Sequence, residues 1–295
     1  MSSPMPIQRV GILGAGAMGN GIAHVAALAG LDIVLVDTAR PVLDKSLATM
    51  AKNLARQVEK STIDAAARDA ALARITPSTT HDAFATCDIV IEAVPEREDI
   101  KRAVYAQILP HLAPHAILAS NTSSISITTL GTASTIPDRF VGMHFFNPVP
   151  MMKLVEIISG LATSKPTLDA VEALAARMGK TTILAADFSG FIVNRILVPM
   201  INEAIFALHE GIGTIASIDQ GMKLGAAHPM GPLTLADFVG LDIVLDVMRV
   251  LHHGLGDDKY RPCPLLINYV AAGWLGRKTG RGFYDYSSNP PVPTR

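Results

Sequence analysis

Gly11-Ile12-Leu13-Gly14-Ala15-Gly16-Ala17-Met18-Gly19 decides how the rest of the chain is read. A short apolar run, Arg9–Leu13, leads into this GxGxxG turn, and a small-residue helical pattern, Ala17–Ala29, leaves it. Strand, glycine turn and helix in that order suit the pyrophosphate of a dinucleotide. Gly14 permits the tight turn, Gly16 lets the backbone approach the phosphates, and Gly19 lets the helix pack closely on the strand. The start of the helix adds unpaired N–H groups and about half a positive charge. Asp37 closes the next apolar run, Leu31–Asp37, 23 residues after Gly14. There it accepts hydrogen bonds from ribose hydroxyls and repels a 2′-phosphate, which favours NAD over NADP; Arg40, close by, tempers the preference. Two plainer readings stand beside this one: glycines serving only turns and packing, and Asp37 as the cap of the following helix.

Outward from this turn, short β-branched runs alternate with helical patterns. Pro41 opens a long helix running to about Lys60, with Leu43, Leu47, Met50 and Leu54 on one apolar face. Asp64–Arg74 reads as a shorter helix, Cys87–Val94 and Ala116–Ser120 as strands, and Glu98–Leu112 as the helix between them. Phe140–Phe146 and Leu154–Ile158 are strand-like, Pro166–Met178 is a helix, and Thr181–Ala186 is a last strand. Beyond about Asp187 the texture turns helical, over Gly190–His209, Ile218–Leu224, Leu233–Leu251 and Leu265–Ala272, with no comparable strand run. The expected fold is α/β: a doubly wound, mostly parallel Rossmann-type sheet followed by an all-helical second domain. The boundary divides residues 1–188, the dinucleotide-binding domain, from residues 189–295, a helical domain for substrate binding and dimerisation. Ile196–Leu208 and Leu233–Leu251 carry more apolar surface than one small helical domain needs, which points to a homodimer.

The chain has 295 residues, 49% hydrophobic and 17% charged, so it can bury a large core. Its formal net charge of −1 gives no electrostatic footprint for nucleic acid or an anionic membrane. Cys87 and Cys263 lie far apart and form no CxxC pair, which suits a reducing, cytoplasmic setting. Met1–Arg9 lacks a basic region followed by an apolar one, so no secretory signal is expected. Val10–Leu31 is superficially membrane-like, but its six glycines favour strand, turn and buried helix. No HxxxH or HExxH spacing supports a metal site.

Most of the nine histidines have unremarkable settings. His24, among small apolar residues, reads as a packed, hydrogen-bonded core histidine. His144 differs: it sits in Gly142-Met143-His144-Phe145-Phe146-Asn147-Pro148, a strand-like run ending in a turn, where ligands of such sheets bind. Twelve residues on, Glu156 is the only strongly polar group of Leu154–Ile158. If the two runs are neighbouring strands, Glu156 hydrogen-bonds one imidazole nitrogen and the other accepts a proton. The bland alternative is a strand-edge histidine and a surface glutamate. Ser120-Asn121-Thr122-Ser123-Ser124 follows a strand and is either a capping turn or a set of hydroxyls near a nicotinamide. Asn194, in the apolar run Phe191-Ile192-Val193-Asn194-Arg195, wants a partner that packing alone can also supply.

These stretches together resemble the 3-hydroxyacyl-CoA dehydrogenase family, and within it the short, single-function 3-hydroxybutyryl-CoA type. GILGAGAMGNGIAHVAALAG, IEAVPE, SNTSSISIT, RFVGMHFFNPVPMMKLVEII, SGFIVNRILVPMINEA, HPMGPLTLADFVGLD and GRKTGRGFYDY carry the likeness from Gly11 to Tyr286. The resemblance implies a cytosolic or organellar NAD enzyme that reversibly oxidises an (S)-3-hydroxyacyl-CoA to the 3-ketoacyl-CoA, and it implies a homodimer. It places the base on His144, the supporting carboxylate on Glu156, and substrate contacts on Ser123 and Asn194. Cofactor contacts fall on Asp37, Glu96, Lys101, Ser123, Asn147 and Lys278, beside the glycines. A lysine meeting the CoA phosphates falls on Lys60; a serine of some members, also on the CoA side, is Asn53 here. It also implies that the reaction lies between the two domains. Two other readings remain open at this stage: an NAD dehydrogenase of a free 3-hydroxy acid, of the sugar-acid or carnitine type, and a non-enzymatic cofactor binder.

Overall fold

The computed structural model describes residues 7–295, so most of the Met1–Arg9 stretch read for a secretory signal lies outside the described residues. The chain divides into two units, the first running to Phe188 and the second starting at Ser189. In the first unit the elements are β1 (Arg9–Leu13), α1 (Ala17–Leu28), β2 (Asp32–Val36), α2 (Arg40–Glu59), α3 (Ala65–Ala73), β3 (Ile75–Ser78), β4 (Ile89–Glu92) and α4 (Glu98–Ile108). They continue with β5 (Ile117–Ser120), α5 (Ile127–Ala133), β6 (Phe140–Phe145), β7 (Leu154–Ser159), α6 (Lys165–Arg177) and β8 (Thr181–Ala186).

Their strands form one sheet in the order β3-β2-β1-β4-β5-β6-β7-β8. Pairing is parallel from β3 through to β6; β7 then runs antiparallel to β6, and β8 parallel to β7. β4, β5 and β6 are buried at every position, which is why they read as continuous apolar runs rather than alternating ones. Strand order reverses between β1 and β4, so the turns after these strands meet at the sheet's carboxyl edge, where such sheets bind ligands. α2 puts Leu43, Ser46, Met50 and Leu54 against the core and leaves its other face to solvent.

Two elements of this unit have weak sequence signals. β3 is an edge strand carrying Pro77, tolerated there because the outer side needs no backbone donor. α5 is a seven-residue helix of threonines and a glycine; its start is held by the Asp187 carboxylate, which accepts from the N–H groups of Ile127 (2.8 Å) and Thr128 (2.7 Å). Ser126 caps the same start locally, accepting from Thr129 N at 3.1 Å, but the Asp187 contribution comes from 59 residues downstream and leaves no local signature.

The second unit contains α7 (Val193–His209), α8 (Ile215–Gly225), α9 (Pro232–Val239), α10 (Leu241–Leu255), α11 (Pro264–Ala271) and a two-residue ladder of β9 (Tyr284–Asp285) with β10 (Val292–Pro293). Three expectations need correction. The helix expected from Gly190 begins at Val193, because Gly190 takes a positive φ of 77°. The single helix expected over Leu233–Leu251 is two, broken at Gly240, whose φ of 104° no helix accommodates. The unit is also not purely helical, since its C-terminal segment pairs as β9 and β10. Two buried carboxylates fasten that segment. Asp219 accepts from Leu233 N (2.7 Å), Thr234 N (3.0 Å) and the Tyr284 hydroxyl (2.9 Å), and Asp237 from Phe283 N (2.9 Å), Tyr284 N (2.9 Å) and the Tyr286 hydroxyl (3.1 Å). Each unit has its own hydrophobic cluster. No helix among the described residues is long and apolar enough to cross a membrane.

Candidate active site

The glycine turn has the shape its sequence promises. Gly14 sits at φ +99°, and a Cβ there would stand 2.7 Å from the carbonyl oxygen of Ala93. A Cβ at Gly19 would overlap the Gly14 carbonyl oxygen, so helix and turn pack as closely as glycine allows. At Gly16 the same construction meets nothing within 4 Å. Gly16 also precedes α1 with no side-chain cap, so the first N–H groups of α1 face this open space uncapped by a side chain. An open cradle at a helix start fits a pyrophosphate. Asp37 stands beside it: Oδ2 accepts from Ala15 N at 2.8 Å, and Oδ1 accepts weakly from Ala39 N at 3.4 Å. The residue preceding α2 is Ala39, so Asp37 braces the glycine turn rather than capping that helix. Arg40 is turned to Asp44 at 2.8 Å on the exposed side of α2.

Across the strand-order switch, two acids organise the turns after β4 and β5. Glu92, fully buried, accepts from Lys101 Nζ (2.6 Å), Val94 N (2.8 Å), the Tyr105 hydroxyl (2.8 Å) and the Ser120 hydroxyl (2.8 Å). Burial and the Glu92 charge push the Tyr105 hydroxyl well above its ordinary pKa, keeping it a donor. Lys101, expected as a cofactor contact, is itself buried and committed to this ion pair, with Glu96 Oε2 at 3.4 Å. The Oε1 atom of Glu96 gathers Thr122 Oγ1 (2.6 Å), Ser123 N (2.7 Å), Ser124 N (3.1 Å) and the hydroxyls of Ser123 and Ser124 (3.1 Å each). Partial burial raises the Glu96 carboxyl, but Lys101 and these donors outweigh it and hold it below the ordinary value. The serine turn is therefore wrapped around one carboxylate, with the Ser123 hydroxyl proton directed at Glu96. Glu92 was not singled out in the sequence; its signal is an acid closing the apolar run Ile89–Glu92 with a lysine nine residues on.

His144 and Glu156 are directly opposite each other in the antiparallel pairing of β6 and β7. Nδ1 of His144 lies 2.7 Å from Oε2 of Glu156, with the histidine 6% exposed and the glutamate fully buried. A carboxylate only accepts, so Nδ1 carries the proton of that bond and the basic lone pair falls on Nε2. Asn121 Oδ1 accepts from Phe145 N at 2.9 Å and ties the serine turn to β6. The Phe146 ring lies 4.5 Å from the imidazole.

In the first unit the structure thus brings Ser123 to Glu96, Glu96 to Lys101, and His144 to Glu156. Asn147 is exposed in the turn after β6. Asn53 is half-buried along α2, and Lys60 is exposed at its end. Asn194 and Lys278 belong to the second unit: Asn194 is the second residue of α7, and Lys278 Nζ donates to Asp242 Oδ2 at 2.5 Å. His24 is buried as expected; burial holds its imidazole below the ordinary pKa, and the Gln57 side chain beside it opposes that shift.

Two family descriptions match the chain: "3-hydroxyacyl-CoA dehydrogenase, NAD binding domain" over residues 9–188 and "3-hydroxyacyl-CoA dehydrogenase, C-terminal domain" over residues 190–286. The chain is 57% identical over 289 residues to 3-hydroxybutyryl-CoA dehydrogenase of Bradyrhizobium diazoefficiens, covering 98% of this chain and 99% of that one. It is 51% identical over 282 residues to a probable 3-hydroxybutyryl-CoA dehydrogenase of Bacillus subtilis, covering 96% and 98%. Among solved structures, it matches (S)-3-hydroxybutyryl-CoA dehydrogenase of Ralstonia eutropha with a TM-score of 0.93 and 52% identity, over 96% of this chain and 100% of that one.

Proposed function

Since the chain belongs to the 3-hydroxyacyl-CoA dehydrogenase family, and is thereby an NAD-dependent oxidoreductase, we propose that it interconverts (S)-3-hydroxybutyryl-CoA and acetoacetyl-CoA, with His144 as base. One observation carries the assignment: an imidazole on β6 held at Nδ1 by a fully buried carboxylate, in the same sheet as β1, which leads into the glycine cradle. NAD, when bound, would supply the hydride acceptor for C3 of the substrate. Gly14, Gly16, Gly19, Asp37, Glu96 and Asn147 would hold the cofactor, and Lys101 would act through Glu96 rather than by touching it. His144 Nε2 removes the proton of the C3 hydroxyl. Positive charge grows on the ring, and Glu156 offsets it. Ser123, its proton given to Glu96, offers its oxygen lone pairs to the substrate hydroxyl. Asn194 and Lys278 of the second unit complete the substrate and cofactor contacts on the strength of the resemblance, and Lys60 and Asn53 serve the CoA handle. In the reverse direction, protonated His144 returns its proton to the ketone oxygen.

The substrate names of relatives that match almost end to end support the four-carbon thioester over a free hydroxy acid. The test is turnover of NADH with 3-ketoacyl-CoAs of increasing length, one bearing a terminal carboxylate, and with free acetoacetate. Acetoacetyl-CoA is expected to lead and acetoacetate to fail; equal rates on the two end the CoA reading. We also assign the protein to the cytoplasm and to a homodimer; Ile196, Ile212 and Leu224 on the second unit are exposed apolar residues that a partner subunit would cover.

A further inference from the structure

Glu92 ends β4 with its side chain wholly inside the first unit. Its Oε1 accepts from Lys101 Nζ (2.6 Å) and Val94 N (2.8 Å), and its Oε2 from the hydroxyls of Tyr105 and Ser120 (2.8 Å each). These bonds clasp β4 to α4 and β5. A glutamine would make the same clasp: its oxygen accepts from Lys101 and Val94, and its amide donates to the two hydroxyls, which can turn to accept. What glutamine lacks is the charge. A carboxylate and an ammonium buried together add little net stability, because their desolvation offsets their attraction. The charge of Glu92 therefore calls for a reason beyond the clasp.

Lys101 has a second partner. Glu96 Oε2 stands 3.4 Å from its Nζ, while Glu96 Oε1 holds Thr122, Ser123 and Ser124. Two carboxylates and one ammonium leave this cluster with one negative charge. Glu92 has the shorter contact with Lys101, so the uncancelled charge belongs to Glu96, which is partly exposed. The other charges at the start of α4 pair among themselves on the exposed side, Arg97 with Asp99 and Arg102 with Glu98, and add little.

Strand order says what the charge faces. Asp37 follows β2 and the glycine turn follows β1, with β4, β5 and β6 beyond them in that order. A dinucleotide with a ribose at Asp37 and its phosphates at the glycine turn would send its other end over the turns after β4 and β5, towards His144 on β6. That end is the nicotinamide, a cation in NAD⁺ and neutral in NADH. We propose that Glu92 is a positioning residue that sets the redox balance of the bound cofactor: by offsetting Lys101 it leaves the Glu96 charge free to favour NAD⁺ over NADH, while touching neither. The assignment rests on the placing of the cofactor against Glu96 above.

The experiment measures Kd for NAD⁺ and for NADH by calorimetry in the wild type, E92Q, E96Q and E92Q/K101M, with thermal melts to check folding. E92Q takes the cluster to zero charge, and the double variant returns it to one negative charge. A unit charge acting over about 12 to 17 Å at an effective dielectric constant of about 20 changes the affinity for a cation by about fivefold to tenfold, so E92Q is expected to raise the ratio of Kd for NAD⁺ to Kd for NADH by that factor. The double variant removes both ends of the buried pair and is expected to bring the ratio back to within about twofold of the wild type, whereas damage to the turn would persist. An unchanged or lowered ratio in E92Q, or a double variant that keeps the E92Q ratio, overturns the proposal. If E92Q fails to fold, the double variant decides alone: a wild-type ratio sustains the offset of Lys101 by Glu92, and a tenfold shift ends it. E96Q tells the two readings apart. If it weakens both nucleotides while E92Q shifts nothing, the cofactor stays at Glu96 and only the role of Glu92 is lost; if it binds both like the wild type, the cofactor lies elsewhere and both readings fall.

Discussion

Two acids near the carboxyl edge of the sheet work at different depths, and their substitutions should be distinguishable. Glu156 is fully buried against the imidazole, so E156Q keeps a hydrogen-bond acceptor while removing the charge that meets a developing imidazolium. A charged hydrogen bond exceeds a neutral one by about 1–2 kcal/mol, which predicts a loss of about fivefold to thirtyfold in kcat. H144Q removes the base and is expected to lose about 10²–10⁴-fold, with NADH binding intact by fluorescence titration. Activity of H144Q equal to wild type would falsify the assignment of the base. Glu96 is about one-third exposed and acts on a turn. Its carboxyl lies below the ordinary 4.5 in the folded protein, so what it adds to stability is complete above that pH and is lost as pH falls through the lowered value. E96Q should therefore flatten the acid limb of a stability-versus-pH curve below about pH 4.5, and an unchanged limb would show that the serine turn does not depend on it.

At the level of elements, the turn after β1 offers a paired test. G19A forces a methyl onto the Gly14 carbonyl and is expected to lower the melting temperature. G16A points its methyl into open space and should melt like the wild type while binding NADH more weakly. If both variants lose affinity without losing stability, the glycines serve the ligand alone. This turn, the acid after β2 and the alternation of strands and helices were all legible, because each depends on residues close in sequence. So was the meeting of His144 with Glu156, since one residue in each of two short strands twelve apart leaves few registers. What could not be read is what distant residues supply. Asp187 reinforces the Ser126 cap at the start of α5, and the edge position makes Pro77 acceptable in β3. Lys101 looked available only because nothing local reveals that Glu92 consumes it. The break at Gly240 was hidden inside a continuous apolar pattern, which registers hydrophobicity and not the sign of φ.

Across the molecule, two separate hydrophobic clusters make each unit open to its own perturbation. Asp237 is buried, and burial raises its carboxyl pKa although three donors oppose this. D237A strands those donors and should cost on the order of 3 kcal/mol. The only tryptophan of the chain, Trp274, packs edge-on to Tyr269 in the same unit, so its fluorescence in urea follows this loss directly. Solution scattering at micromolar concentration is expected to return twice the mass of the chain; a monomeric mass removes the homodimer. The hairpin of β6 and β7 has a wider consequence. Acid and base are locked to one another by strand register, while the segment joining them is pinned elsewhere, by Lys180. Reactivity and reach are thereby separable: a library randomised over residues 150–152 could be selected for foreign carriers of the acyl group while the proton relay stays as it is, which makes this connection the natural place to begin re-engineering the protein.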